Sequence, residues 1–141
     1  MKKIFISSDH AGYKLKEAIK LHLSKKKLSF QDMGPYNDNR VDYPDFAHKL
    51  AKRVKKNKNN FGILVCGSGM GMNISANRHK NIRAAQCFNL KSTKLSRLHN
   101  DANIITLGSR LITKKNALKL ISVFLNTKFD GGRHLRRVKK I

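Results

Sequence analysis

Residues 61–66, Phe-Gly-Ile-Leu-Val-Cys, contain no polar side chain, and they run directly into Gly67-Ser68-Gly69-Met70-Gly71. A strand that is apolar on both sides of its pleat belongs in a sheet covered on both faces, the situation of parallel sheets with helical crossovers. The glycines that follow let the backbone turn sharply, and the stretch from there to about Arg78 reads as a helix. Strand, glycine loop, helix is the unit around which the rest of the chain must be arranged.

The flanking sequence repeats that alternation. Lys2–Ser7, with Ile4, Phe5 and Ile6, predicts a first strand, which Asp9-His10-Ala11-Gly12 breaks. Leu15, Ile19 and Leu23 recur every fourth residue, as in an amphipathic helix whose lysines, Lys14, Lys16 and Lys20, belong to a solvated face. Leu28–Met33 is a weaker strand and residues 34–39 have loop composition. Asp42 is placed to cap a helix with Pro44 in its first turn and Phe46, Leu50 and Val54 along one face. Ile82–Cys87 and Asn103–Leu107 read as strands, Ser92–Leu98 and Ala117–Leu125 as helices, the last capped by Thr113. The pattern predicts one domain over residues 1–141: an α/β fold, a three-layer α/β/α sandwich of Rossmann-like type with a five-stranded parallel sheet and right-handed crossovers. In open sheets of this kind ligands collect at the carboxyl ends of the strands, where Asp9-His10, Cys66–Gly71 and Ser109-Arg110 fall.

The net charge of +23 invites a nucleic-acid reading, since dense basic surfaces release counterions from phosphate backbones. Its distribution argues otherwise. Of 31 basic residues 22 are Lys, Glu17 is the only Glu and Asn occurs 13 times, so acid is missing as much as base is added. The lysines are scattered along helix faces, with neither an Arg-rich arm nor an aromatic-studded strand. No nucleic-acid partner is expected. No window approaches the roughly 20 apolar residues of a membrane span, and Cys66 and Cys87 are too few for a disulfide framework. A cytoplasmic protein without a membrane partner is expected.

The glycine loop is not a dinucleotide fingerprint: its spacing is G-x-G-x-G, and residues 87–94 hold no acid for a ribose hydroxyl. Nor does a Gly-Lys-Ser/Thr close it as in a P-loop. Converging N–H groups beside a helix start suit an anion, and they favour a thiolate at Cys66, which is then a base or a nucleophile. A tight turn and a small buried hydrophobe are the bland alternatives. Cys87, inside an apolar strand, reads as packing. His10 follows Asp9 at a strand end and His99 heads His-Asn-Asp, while His22, His48 and His79 occupy ordinary positions; none shows a local metal-ligand spacing. Arg133 and Arg137 stand at i, i+4 and, on a helix, could grip a phosphate.

Taken together, Ser8-Asp9-His10-Ala11-Gly12, Asp42-Tyr43-Pro44, Cys66–Gly71, Asn73–Asn77, Ser96–Asn103, Gly108-Ser109-Arg110 and Gly131-Gly132-Arg133-His134 closely resemble the ribose-5-phosphate isomerase type B family, which includes galactose-6-phosphate isomerase subunits. The resemblance implies aldose–ketose isomerisation of a phosphosugar through an enediolate, with no metal or organic cofactor. It implies Cys66 as the base moving a proton between C1 and C2, and the backbone of Gly67, Gly69, Met70 and Gly71 as the cradle for the enediolate oxygens. Ser68, where many members carry Thr, would relay a proton between those oxygens. His99 would open the sugar ring, with Asp9 and Tyr43 as partners and Asn100 holding a hydroxyl. His10, Arg110, Arg133 and Arg137 would bind the phosphate. It further implies a homodimer, in some members paired into a tetramer, with active sites shared between chains. A 6-phosphosugar isomerase acting on allose or galactose 6-phosphate is the alternative within the class, and a nucleic-acid-binding module is the alternative outside it.

Overall fold

A computed structural model describes all residues, 1–141. Five parallel strands form one sheet in the order β2-β1-β3-β5-β4. They are β1 (Lys3–Ser8), β2 (Phe30–Asp32), β3 (Asn60–Cys66), β4 (Ala84–Gln86) and β5 (Ile104–Gly108). The helices between and after them are α1 (Tyr13–Lys25), α2 (Tyr43–Val54), α3 (Met70–Ala76), α4 (Leu90–Asn100), α5 (Lys114–Asn126) and α6 (Arg133–Val138). The three-layer arrangement is the expected one. The edge strands β2 and β4 are three residues long, shorter than the spans 28–33 and 82–87 read from the sequence, and each has a neighbour on one side only.

Alternation along the central strands divides two cores. Ile4, Ile6, Ile63, Val65, Ile105 and Leu107 face Leu15, Ile19 and Leu23 of α1 and Leu120, Ile121 and Phe124 of α5. Phe5, Leu64, Cys66 and Ile104 face Ala47, Leu50, Ala51 and Val54 of α2 and Met72 and Ala76 of α3. Each large aliphatic side chain so buried contributes roughly 1.5–3 kcal/mol. Thr113 caps α5 by accepting from the Asn116 N–H at 3.2 Å, as its position suggested. Asp42 stands at the N-cap of α2 but its side chain accepts no capping bond, so Pro44 and the packing of the apolar face define that helix start.

One surface expectation fails. Lys16 is fully buried, its Nζ 2.8 and 3.0 Å from the Asp32 carboxylate oxygens and donating also to the Pro35 carbonyl. Lys20 reaches the same carboxylate at 2.7 Å. Burial alone would raise the Asp32 pKa, but hydrogen bonds from Lys16, then Lys20 and the Gly34 N–H, bring it below the usual carboxylate range. The pair ties α1 to the β2 edge and to the loop beyond it.

Candidate active site

The chain runs from β1 outward to β2 and returns to place β3 on the other side of β1, so the connections leaving β1 and β3 diverge. A crevice opens at such a switch point, above the carboxyl ends of the two strands. Asp9, His10 and Ala11 enter it from β1, Cys66, Gly67, Ser68 and Gly71 from β3 and the following loop, Tyr43 from the start of α2, and Arg110 and Leu111 from beyond β5. Together they line a cleft of about 410 Å³, within the size range of small-metabolite sites. A larger groove of about 630 Å³ beside β2 and α2, lined mainly by Gln31, Asp45, His48, Lys49, Lys52 and Arg53, holds neither a thiol nor a glycine loop and only one carboxylate.

Cys66 ends β3 with its side chain 4% exposed, and the Gly69 N–H donates to Sγ at 3.1 Å. That donor is available because Gly69 adopts φ +79°, where a side chain would be strained and would also meet the Leu107 carbonyl carbon at 2.9 Å. The loop therefore divides its donors. Gly69 serves the sulfur, the Met70 N–H donates to Ser68 Oγ at 3.2 Å, and the amides of Gly67, Ser68 and Gly71 have no acceptor within the protein. The Gln86 side-chain amide donates to the Ser68 carbonyl and braces the loop from β4. Cys87 is a different thiol: burial pushes its pKa up, so it stays neutral, as a packing residue should.

Asp9 is 6% exposed and accepts the Gly12 N–H at 2.9 Å, an arrangement that turns the chain into α1. The Val41 N–H donates to His10 Nδ1 at 3.3 Å, which leaves the proton of the neutral ring on Nε2. Arg110 lies across Gly67, where a methyl group would sit 2.8 Å from Nη1, and the Tyr43 ring lies across Gly71, where a methyl would sit 2.5 Å from Cε2. Both contacts exist because those positions lack a side chain. Met70 contributes backbone only, its side chain being 51% exposed outside the cleft.

Four of the sequence-predicted residues are elsewhere. In a parallel sheet the helix leading into a strand ends at the strand's amino edge, so His99 and Asn100, at the end of α4, lie at the far end of β5 from Gly108, the residue paired with Cys66. The five residues of β5 alone separate those levels by about 13 Å. Arg133 and Arg137 share a face of α6, as their spacing suggested, and α6 packs on α4. His99 stacks on His134 with centroids 4.2 Å apart and planes within 10°. The joint is held by buried Arg97, which donates to the Thr127 carbonyl at 3.2 Å and to the Asp101 carboxylate at 2.8 Å, and by the Asp130 N–H on the Leu98 carbonyl at 3.1 Å. Sequence reasoning missed Ala11 and Leu111 in the cleft, Gln86 behind the loop and the convergence of His134 with His99. Gln86 and His134 act through partners 18 and 35 positions away, for which no local pattern exists.

Comparison with known proteins bears on the whole chain. The family model described as Ribose/Galactose Isomerase matches residues 4–141. Ribose-5-phosphate isomerase B of Escherichia coli is 39% identical over 141 residues, covering 100% of this chain and 95% of the relative. A ribose 5-phosphate isomerase structure from Thermotoga maritima superposes with a TM-score of 0.95 at 47% identity, covering 99% of this chain and 96% of that one. The Mycoplasma genitalium ribose-5-phosphate isomerase B, solved with bound ribulose-5-phosphate, gives 0.94 at 44% identity, covering 98% and 92%.

Proposed function

Because the chain belongs to the ribose/galactose isomerase family, we infer that it is an aldose–ketose isomerase interconverting D-ribose 5-phosphate and D-ribulose 5-phosphate. The observation that carries the chemistry is Cys66 Sγ beside a set of unpaired backbone amides at the switch-point cleft. Abstraction of a proton alpha to a carbonyl needs a base, donors for the oxygen that becomes negative, and a fixed substrate.

Cys66, as thiolate, takes the proton from C2 of the open aldose and returns it at C1, and the Gly69 N–H stabilises the sulfur when it is charged. The free amides of Gly67, Ser68 and Gly71 receive the enediolate oxygens, a contribution of a few kcal/mol per donor in a preorganised site. Ser68 Oγ accepts from Met70, which leaves its O–H to donate and to relay a proton between O1 and O2. Asp9 and Tyr43 border the reacting end. His10, through Nε2–H, and Arg110 face the phosphate, whose binding energy orients C1 and C2 against the sulfur.

The reading includes a second copy of the chain. His99, Asn100, Arg133 and Arg137 do not line the cleft of their own chain, and a homodimer in which α4 and α6 of one subunit close the cleft of the other supplies ring opening, a hydroxyl contact and the remaining phosphate ligands. Met70 and Ile74 of α3 and Leu111 of the cleft wall are 51%, 67% and 51% exposed, an apolar rim suited to such a cover. The two cysteines are free, in keeping with a reducing cytoplasm. A coupled assay with ribose 5-phosphate and with allose 6-phosphate, run with chelator present, tests the reading. Ketose forms preferentially from the pentose phosphate. Preferential turnover of the hexose phosphate would replace the substrate assignment, and no turnover of either would overturn the activity.

A further inference from the structure

His99 at the end of α4, Asp130 in the α5–α6 connection and His134 in the first turn of α6 present one donor atom each, all within 4.8 Å of one another. Within the chain these side chains have no polar partner: neither imidazole makes a hydrogen bond through a ring nitrogen, and the Asp130 carboxylate forms neither a hydrogen bond nor an ion pair. In the single chain the two histidines are half-buried and Asp130 is exposed. We propose that His99, Asp130 and His134 form a zinc-class divalent metal site whose occupation inhibits the enzyme.

Two imidazoles and a carboxylate are a donor set that zinc takes with bonds of about 2.0–2.2 Å, which places ligand atoms about 3.4 Å apart. The cluster must therefore contract by about 1.4 Å at its widest, and the stacked rings must turn until both planes contain the ion. No hydrogen bond on either ring resists that movement. The stem of the site is already rigid: the Asp130 N–H is held by the Leu98 carbonyl, and Arg97 fastens the end of α4. Arg133 and Arg137 oppose a dication here, and Asp130 offsets one of those charges. That balance, with nitrogen donors in the majority, selects a borderline ion such as Zn²⁺ and rejects Mg²⁺ and Ca²⁺. The ion is not a cofactor of the reaction: it would occupy the imidazole assigned to ring opening. This consequence rests on the isomerase reading, while the binding does not.

The test separates the two. Zinc binding is measured by equilibrium dialysis on the full-length protein carrying Cys66→Ser, which removes the competing thiolate, with Mg²⁺ as the contrasting ion. One Zn²⁺ per chain is expected. Asp130→Asn and His134→Asn, checked for folding by circular dichroism, each weaken it about tenfold or more, since loss of a ligand costs at least as much as loss of a supporting group. His79→Asn, which breaks the other histidine pair, bonded at 2.8 Å to His48, leaves that zinc in place. Absence of zinc binding, or binding indifferent to both Asp130→Asn and His134→Asn, would overturn the site. In the protein with Cys66 intact, Zn²⁺ suppresses turnover and EDTA restores it. His134→Asn shifts the zinc needed upward by about tenfold or more. Equal zinc sensitivity in His134→Asn would show that the ion acts at Cys66 instead and would refute the inhibitory role, leaving the binding result standing.

Discussion

If His99 acts on the cleft of a second chain, two inactive subunits should complement each other. Cys66→Ala deletes the base and His99→Asn the ring-opening group, and each homodimer should lose about 10²–10⁴-fold in turnover, the usual worth of a positioned acid or base. In a heterodimer of the two, one cleft combines the intact Cys66 of one subunit with the intact His99 of the other, while the second cleft lacks both. With differently tagged chains co-expressed and purified on both tags, the heterodimer should show about half the wild-type rate per dimer, since one of two symmetry-related sites survives. The opposite pairing, wild type with the double variant Cys66→Ala/His99→Asn, should be inactive, because each cleft then lacks one group. The expectation follows from chain direction: α4 delivers His99 to the amino edge of β5, about 13 Å along the strand from the level of Cys66. An inactive first heterodimer with a half-active second one would place both groups in a single chain and refute the reasoning.

Cys66→Ser should fold with an unchanged melting temperature, to within a few degrees, and lose about 10²–10⁴-fold in kcat with a smaller change in KM; near-normal turnover would remove the thiol from the chemistry. Arg137→Ala should chiefly raise KM for the phosphosugar, and an unchanged KM would count against its place in the phosphate clamp. Gly69→Ala should cost about 1–2 kcal/mol from the left-handed backbone, with more from contact with Leu107, and should lower kcat by displacing the N–H that faces the sulfur. Asp32→Asn probes the buried pair: because the folded-state pKa of Asp32 lies below the unfolded value of about 3.9, its stabilisation is full above that value and is lost as pH falls through the folded pKa. The difference in urea midpoint between wild type and Asp32→Asn should therefore narrow on acidification, and a difference independent of pH would show that Asp32 does not act through its charge.

The legible part of the fold followed from repetition. The uninterrupted apolar run ending at Cys66, the largely apolar strand ending at Leu107, and the four-residue spacing of Leu15, Ile19 and Leu23 each report which sides of a local axis are buried, and both halves of the core were laid down as those patterns imply. Lys16 broke the pattern for a reason no periodicity contains: its ammonium meets a carboxylate from another element, Asp32, sixteen residues on. Within the cleft, Asp9, His10, Cys66, Ser68 and Arg110 were found because strand ends and a glycine loop mark where such a sheet collects ligands. The division of labour among the loop amides was not legible, since it depends on the φ of Gly69 and on the side chain of Gln86.

By itself, the sequence determined a parallel sheet between two helical layers and a thiol at the mouth of a glycine loop, because burial and turning are local demands that residue type and spacing record directly. Only the tertiary structure decided that His99 stands a strand's length from Cys66, that it meets His134 and Asp130 across separate elements, and that the α6 arginines travel with it. Those relations come from the direction in which each helix returns to the sheet and from the docking of α6 on α4, and such distances between elements are set by packing of the whole chain.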